Sequence, residues 1–504
     1  MHNLIALTGI QQLCLNEMQK NMQMLKSKTL LEHKFSLRMK RKYMIFLFIR
    51  AIIILSFISF IGFTYYTYGL GNKIILEETI VGKKDYLDIV EYHNLSEKFH
   101  AIREEIRNLK QEIHASIVPQ HKIKTFQTYI YQNKTGQNLS QEEITPLVIS
   151  SNVHIFYYPW YKSEIFDGRY GHWNHRMLPN WKVKYERVQP PHKPPDDIGS
   201  NFYPKLGPYS SSDPKVLNKH MEQIKYSGAG VLAVSWYPPN LELENEEPVD
   251  NIMLKILDSA QNKSLQVTFH IEPFKNRSGE NIVKVIKYII DTYGSHKAFY
   301  RTLYNGKLLP LYYLYDSYQI SSFEWSKALS HEGQFSLRNS KYDGIFLGLL
   351  ARQDHMNHLA ASNFDGFYTY FAIDGFEYGS TFRNWALISA EAKKLKLIFI
   401  PSIGPGYVDT RIRPWNDRNT RKRSNGQYYR AAFLAALEVK PKFLSITSFN
   451  EWHEGTQIEP AVPKTFGNYR YEDYLPRSED FYLRLTQSFV KEFIQQLNNS
   501  RQIG

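Results

Sequence analysis

The chain has 504 residues, long enough for one large domain with an appendage, and it carries a net charge of +13. Its single cysteine, Cys14, excludes a disulfide framework, a thiolate metal site and a cysteine nucleophile from everything that follows it. Over half of the net positive charge lies in residues 1–50, so the basic balance of the whole chain is poor support for a nucleic-acid partner.

The first predicted element is a single transmembrane helix over residues 51–70. This stretch, AIIILSFISFIGFTYYTYGL, has 20 residues and no charged side chain, so as a helix it can cross a bilayer. The 50 residues before it hold nine Lys or Arg against two Glu, which predicts a cytosolic basic tail at 1–50 and a lumenal remainder. A cleaved signal peptide fits less well, because the run is long and follows a 50-residue tail. A buried core helix is the other alternative.

Residues 71–150 are predicted to form a lumenal stem. The stretch 96–117 is charged but has one apolar stripe at helical spacing, which indicates a short coiled coil or a docked helix. The stretch 131–146 is polar and rich in turn residues, which is typical of a linker. Six glycosylation sequons all follow the apolar run, in agreement with a lumenal address; they begin at Asn94, Asn133, Asn138, Asn262, Asn276 and Asn498.

From residue 151 to 504 the pattern alternates between short apolar strands and amphipathic helices. The eight predicted strands are 152–158, 230–236, 265–271, 309–315, 342–349, 365–370, 396–403 and 442–449. The helical patterns are 213–227, 250–262, 279–293, 380–395, 425–439 and 478–497. Eight such strands predict a (β/α)8 TIM-type barrel. A doubly wound open sheet is the alternative, but no Gly-rich phosphate loop follows the first strand.

The active site of such a barrel lies at the carboxyl ends of its strands, and these ends are rich in aromatic and acidic residues. Aromatic planes and carboxylates together are typical of a sugar pocket. The candidate substrate-binding residues are Tyr158, Trp160, Trp236, Tyr237, His270, Glu272, Tyr315, Tyr370, Asn450 and Trp452.

The last strand is followed by the candidate catalytic pair, Glu451 and Glu454. If 451–454 form a helical turn, both side chains lie on one face about 5–6 Å apart at Cβ, a separation nearer to retaining than to inverting glycosidases. Mutual repulsion of two close carboxylates raises one pKa and keeps one of them protonated as an acid. Glu459 is interpreted as structural.

Two other readings of the polar residues are weaker. His270 with Glu272, and His453 with Glu454, place His beside Glu but do not form a zinc motif, so no metal or other cofactor is predicted. The arginine-rich stretch 409–426 is able to bind phosphate or RNA, but it is confined to one loop. We interpret it as a solvated loop over the pocket mouth, with no nucleic-acid partner.

Six motifs in this order resemble glycoside hydrolase family 99, the endo-α-1,2-mannosidases, over residues 150 to 475. They are FYYPWY (156–161), SWYPP (235–239), HIEPF (270–274), GFYTYF (366–371), GPGYVDTRIRPWN (404–416) and SFNEWHEGTQIEPA (448–461). The tail, span and stem are similar to those of the Golgi type II members. The resemblance therefore implies a Golgi membrane location with a lumenal catalytic domain.

The resemblance also implies the chemistry: a metal-free barrel that retains anomeric configuration and releases glucosyl-α-1,3-mannose from glucosylated N-glycans of glycoproteins. By motif, Glu451 matches the base that deprotonates the mannose 2-hydroxyl, and Glu454 matches the acid/base at the departing oxygen, with a 1,2-anhydro sugar as the intermediate. Tyr158, Glu272 and Tyr370 would line the cleavage subsite, and Trp236 and Tyr237 would lie near the glucose subsite. A glycan-binding protein without turnover and a hydrolase of unglucosylated α-mannan stay open as alternatives.

Overall fold

The computed structural model describes residues 147–180, 190–241 and 248–502. The predicted tail, the predicted span at 51–70 and nearly all of the predicted stem lie outside these ranges, and they stay predictions. Within the described ranges, no helix combines the length and the apolar character that crossing a bilayer requires.

The wall of the barrel is made of short parallel strands buried on both faces. In chain order, the strands of the described residues are β1 (Ser150–Tyr157), β2 (Ala229–Trp236), β3 (Gln266–Ile271), β4 (Arg301–Tyr304), β5 (Lys307–Leu314), β6 (Ile345–Leu349), β7 (Gly366–Tyr368), β8 (Ile398–Ile400), β9 (Ser402–Ile403), β10 (Leu444–Ile446), β11 (Thr465–Phe466) and β12 (Tyr469–Arg470). All eight residues of β2 are buried, which is what a strand between a filled interior and an outer helix layer requires.

The strand order is β8-β7-β6-β5-β3-β2-β1-β10-β9, and every neighbouring pair on this path is parallel. Strands β8 and β9 are separated only by Pro401, which has no N–H to donate to a ladder. They are therefore two halves of one wall strand, and the path returns to its start. This closure confirms the predicted (β/α)8 barrel and argues against an open sheet.

Helices cover the outside of the wall. They are α1 (Glu164–Asp167), α2 (Pro214–Ser227), α3 (Met253–Asn262), α4 (Gly279–Tyr293), α5 (Ser322–Leu329), α6 (His355–Ala361), α7 (Trp385–Leu395), α8 (Gln427–Glu438) and α9 (Phe481–Gln502). The two ends of α2 illustrate why the helices begin and end where they do. Asp213 accepts a hydrogen bond from the Lys215 N–H, Pro214 occupies the first turn, and Gly228 ends the helix at φ +85°.

All six predicted helices are present, and the described residues add elements that the sequence did not predict. These are the short helices α1, α5 and α6, the strand β4 that runs antiparallel to β5, and the hairpin β11–β12. Each is short or lies between two predicted elements, where the hydrophobic pattern has too few periods to be recognised.

The interior of the barrel is filled largely with aromatic rings. Phe156 packs against His270, Tyr313 and Tyr368 with centroid distances of 4.8, 5.3 and 5.7 Å. Lower in the barrel, His154 Nδ1 lies 2.6 Å from the Tyr313 hydroxyl, and burial lowers the pKa of His154 to about 3. Much of the aromatic content therefore builds the core that supports the carboxyl ends of the strands.

Candidate active site

Side chains from four strand ends meet at the carboxyl face of the barrel. The hydroxyls of Tyr158, after β1, and Tyr370, after β7, are hydrogen-bonded to each other. The Tyr370 ring stacks on His270 at 5.7 Å and meets Tyr315 edge-on at 5.0 Å. Tyr370 is held at φ +49°, and its N–H donates to Ser402 Oγ at 2.7 Å. The predicted aromatic residues of the cleavage subsite are therefore together in space.

Asn450 holds this group to the last strand. Its Oδ1 accepts a hydrogen bond from the Tyr158 N–H at 2.8 Å, and its Nδ2 donates to the Tyr158 carbonyl at 2.9 Å. Nδ2 also lies 3.2 Å from the Tyr209 hydroxyl, and no part of the side chain is exposed. Asn450 therefore positions Tyr158, and its predicted contact with the substrate stays a prediction.

Residues 451–454 form a turn rather than a helix. The Glu451 N–H donates to Ser448 Oγ at 2.8 Å, and the His453 N–H donates to Glu451 Oε1 at 3.1 Å. Gly455 closes the turn at φ +60°, where a Cβ would lie 2.6 Å from Val408 Cγ1, so no other residue fits without displacement. The Glu451 carboxylate is thus held by its own turn and is 3% exposed.

Glu454 lies on the other side of the same turn, beside a cation. Arg413 Nη1 lies 3.5 Å from Glu454 Oε1 and 3.1 Å from Asp409 Oδ2. The Glu454 side chain is 23% exposed, compared with the almost fully buried Glu451. The two carboxyls of the predicted pair therefore have different surroundings, one enclosed and one partly open and facing an arginine.

Both carboxyls have raised pKa values. Burial raises the pKa of Glu451 well above its ordinary value, the Glu454 charge raises it further, and the His453 N–H and Arg413 oppose the rise. Burial also raises the pKa of Glu454, while the Arg413 charge is the strongest opposing influence. Each carboxyl therefore holds its proton to a higher pH than a free glutamate does, which suits the site to acid as well as base work.

Glu272 adds a third carboxylate to the pocket. Its Oε1 accepts a hydrogen bond from Ser235 Oγ at 2.8 Å and lies 3.1 Å from His270 Nδ1, without the alignment of a hydrogen bond. His270 Nε2 lies 2.8 Å from the Tyr368 hydroxyl. His270 and Glu272 thus face the same side, as expected for alternate residues of a strand. Among the described residues, no group of three or more potential metal ligands is arranged to hold an ion.

Trp160 forms one wall of the site. Its ring stacks on His172 at 4.5 Å and an interplanar angle of 3°, and it packs against Tyr158 at 4.8 Å. His453 lies behind this stack, 5.7 Å from His172, with its Nδ1 2.8 Å from the Gly199 carbonyl. Burial lowers the pKa of His172 to about 3, so this wall is neutral.

Two predicted sugar contacts lie away from the pocket. Trp236 is fully buried in the layer between the barrel and α4, where its Nε1 donates to Asp250 Oδ1 at 2.8 Å. Its neighbour Ser235 faces inward, and successive side chains of a strand point to opposite faces. Trp452 is also fully buried, with its Nε1 3.0 Å from Glu459 Oε2. Tyr237, 6% exposed at the end of β2, is the remaining aromatic candidate for the glucose subsite.

The arginine-rich loop 409–426 is not the solvated loop that the sequence suggested. Arg413 reaches Glu454, and Arg411 pairs with Asp197. Arg423 Nη2 donates to the carbonyls of Gly455 and Gln457 at 2.9 and 2.7 Å, directly after the glutamate turn. This correction has a physical reason: arginine forks satisfy main-chain and carboxylate acceptors at several points, which charge counting alone does not reveal.

Comparison with known proteins assigns this site to a family. The model of glycosyl hydrolase family 99 matches residues 148–495. A glycoprotein endo-alpha-1,2-mannosidase of Xenopus laevis is 50% identical over 361 residues, covering 71% of this chain and 80% of the relative. A human glycoprotein endo-alpha-1,2-mannosidase-like protein is 51% identical over 356 residues, covering 70% of this chain and 78% of the relative.

A solved structure agrees with these relatives. The GH99 endo-alpha-mannosidase of Bacteroides thetaiotaomicron is 43% identical, has a TM-score of 0.65, and covers 70% of this chain and 100% of the solved chain. The matched region spans all of the wall strands and the glutamate turn. On this evidence, the chain belongs to glycosyl hydrolase family 99 and is a glycoside hydrolase.

Proposed function

We propose that this enzyme is a retaining endo-acting α-mannosidase that cleaves an internal α-1,2-mannosidic bond in glucosylated high-mannose N-glycans of glycoproteins. The product is glucosyl-α-1,3-mannose. The observation that carries the proposal is the Glu451–Glu454 pair, delivered by β10 into an aromatic pocket that Tyr158 and Tyr370 line. The names of the relatives, which are endo-alpha-1,2-mannosidases, support the bond that is cut.

The chemistry follows from the stereochemistry of α-mannose. Its axial 2-hydroxyl is anti to the axial leaving group at C1. Glu451 removes the proton of the 2-hydroxyl as O2 attacks C1, and Glu454 gives its proton to the departing oxygen as the C1–O bond breaks. A water then opens the 1,2-anhydro sugar at C1: Glu454 takes the water proton, and Glu451 returns a proton to O2. Two inversions at C1 give net retention, and no protein nucleophile is needed.

The cation beside Glu454, Arg413 Nη1 at 3.5 Å, raises a second assignment in which the roles of the two glutamates are exchanged. Burial raises the pKa of both carboxyls, and among the opposing influences on Glu454 the Arg413 charge is the strongest. The proposed cycle needs a protonated Glu454 and a charged Glu451 at the moment of bond cleavage, and the exchanged assignment needs the reverse.

A leaving-group experiment distinguishes the two assignments. We compare Glu451→Gln and Glu454→Gln on the natural glycan and on a glucosyl-mannosyl fluoride, whose fluoride departs without a proton. If Glu454 is the acid, E454Q regains much of its bond-cleavage rate on the fluoride and E451Q does not. Recovery in E451Q instead would reverse the roles.

The positions of the other predicted substrate-binding residues suggest which sugar each of them contacts. We propose that Glu272, Tyr158, Tyr370, Tyr315 and Trp160 contact the mannose being cleaved, with His270 holding Glu272. Tyr237 is proposed to contact the glucose cap. The acidic segment 240–249 that follows Tyr237 is proposed to select the cap, although its residues 242–247 lie outside the described part of the chain.

Substrate identity is tested by competition. The purified full chain is given glucosylated and unglucosylated high-mannose glycans in one reaction, and the products are separated by mass. Release of a glucosyl-mannose disaccharide supports the proposal. Preferential cleavage of the unglucosylated glycan would indicate an α-mannan hydrolase, and binding without release would indicate a glycan-binding protein.

We also propose a Golgi membrane location with the barrel in the lumen. The support is the uncharged stretch 51–70 and the basic segment before it. Alkaline carbonate extraction and protease protection of sealed vesicles test this. The protein should stay with the membrane, and the barrel should be cut only after detergent is added.

A further inference from the structure

Arg413 is the cation nearest to the catalytic pair among the described residues. It directly precedes Pro414, which begins a 3-10 helix over Pro414–Asn419. Its Nη1 lies 3.1 Å from Asp409 Oδ2 and 3.5 Å from Glu454 Oε1. The side chain is 28% exposed, so it borders the same opening as Glu454.

The position of Arg413 does not depend on Glu454. Asp409 is fully buried, and its Oδ2 also accepts hydrogen bonds from the Tyr407 hydroxyl at 2.9 Å and from Asn416 Nδ2 at 2.8 Å. The Arg413 N–H donates to the Asp409 carbonyl at 2.7 Å. A carboxylate fixed by two other donors therefore holds the guanidinium, whether Glu454 is charged or neutral.

The charged and titratable groups around Glu454 come from several elements, and Arg413 is the one that favours a charge on it most strongly. The groups on its own turn and in loop 404–426 are Glu451, Asp409, Tyr407 and Arg413. The groups from other strand ends are Tyr158, Tyr315 and Tyr370. Glu272 and His175 also face this region, and burial lowers the pKa of His175.

We propose that Arg413 is a positioning residue that acts through Glu454 and sets its acidity. When Glu454 gives its proton to the departing sugar oxygen, the carboxylate that forms already faces a fixed cation. When the same carboxylate later takes a proton from water, the cation is again in place. This inference rests on the acid role proposed for Glu454. It is the geometry that general acid catalysis requires, because the charge that develops is met by a pre-oriented partner.

The test is the pH dependence of kcat/KM in Arg413→Gln. Loss of the cation should raise the pKa of Glu454, so the basic limb, which reports loss of the acid proton, should move to higher pH by about one unit or more. The plateau should fall about tenfold, a part of what a general acid contributes. Arg413→Lys keeps the charge and should leave the limb near its wild-type position.

Arg418→Gln is the matched control, since it removes an exposed arginine of the same loop and should leave the limb unmoved. On the glucosyl-mannosyl fluoride, where no leaving-group proton is needed, Arg413→Gln should not move the basic limb. A folded Arg413→Gln whose basic limb coincides with that of the wild type would overturn the inference, as would movement of the acid limb alone. If Arg413→Gln does not fold, a limb displaced in Arg413→Lys as far as one unit overturns it as well. Failure of the proposed function is distinguishable, because the wild type itself would then release no disaccharide.

Discussion

The Oε2 atom of Glu459 lies 3.0 Å from the indole Nε1 of Trp452, and both side chains are fully buried. The same carboxylate accepts a hydrogen bond from the Tyr209 hydroxyl at 2.8 Å, and its Oε1 lies 3.2 Å from His220 Nε2. Tyr209 in turn contacts Asn450. The residues on both sides of Glu451 therefore rest on one buried acceptor, which agrees with the structural reading of Glu459.

Replacing Glu459 by Gln should destabilise the barrel and reduce turnover together. One acceptor oxygen becomes an NH2 donor that faces other donors, and an unsatisfied buried group costs about 1–3 kcal/mol. Urea unfolding measures the loss, with Glu280→Gln on the exposed face of α4 as the control. Equal stability of Glu459→Gln and the wild type would show that the hydrogen bonds of Glu459 contribute nothing to the free energy of unfolding.

Asn450→Ala should lower kcat more than it changes KM, because Tyr158 is proposed to contact the mannose at the bond that is cleaved. The change removes both hydrogen bonds to the Tyr158 main chain and frees the hydroxyl contact with Tyr370. Steady-state kinetics and the melting temperature are measured together. A variant that melts at the wild-type temperature and keeps its kcat would exclude the positioning role.

Both glutamates should be indispensable for turnover of the natural glycan. Glu451→Gln and Glu454→Gln should each lower kcat/KM by about 10²–10⁴-fold, the contribution of a positioned acid or base. Disaccharide release measured by mass follows the rate, and circular dichroism verifies the fold. Glu479→Gln, at an exposed ion pair with Lys205, serves as the control. Near-wild-type turnover in either variant removes that residue from the mechanism.

The Glu451 carboxyl should destabilise the folded protein at neutral pH. A carboxyl whose pKa is higher in the folded than in the unfolded chain contributes stability below its unfolded pKa and loses it as the pH rises through the folded value. Burial raises the pKa of Glu451 well above its ordinary value of 4.5. Glu451→Gln should therefore match the wild type at about pH 4 and be more stable at about pH 7.

Denaturant unfolding at several pH values tests this. The difference in unfolding free energy between variant and wild type should grow as the pH rises above the unfolded pKa of Glu451, and level off once the folded carboxyl is charged. A constant difference, or a variant that becomes less stable relative to the wild type as the pH rises, would mean that folding does not raise the pKa of Glu451.

Activity should survive treatment with EDTA. The proposed steps use only carboxylates and the substrate hydroxyl, so removal of metal ions should leave disaccharide release unchanged.

The wall strands and the location of the site were predictable because eight apolar runs and their polar ends are local features of the sequence. The face of the strand to which an individual side chain points was harder to predict. Trp236 and Ser235 lie in a strand whose eight residues are all buried, so no alternation of polar and apolar residues shows which one faces inward. Only the contacts with Asp250 and Glu272 decide it.

Arg413 was harder still to recognise from the sequence. It is 41 residues away from Glu454 in the chain and lies among several other basic residues. Its partner Asp409 is fully buried, which no local sequence pattern indicates. A count of positive charges favours a solvated surface. The fold instead distributes these arginines over separate acceptors, which depends on distances that no local pattern encodes.

The two hydrogen bonds between Asn450 and the Tyr158 main chain join residues 292 positions apart. A ribosome makes Tyr158 long before it makes Asn450, and domains fold only when the partners they need have emerged. Tyr158 therefore lacks its hydrogen bonds to Asn450 until nearly the whole barrel has been synthesised. A chain that ends before residue 451 contains Tyr158 but neither glutamate, so such a truncated product should be inactive.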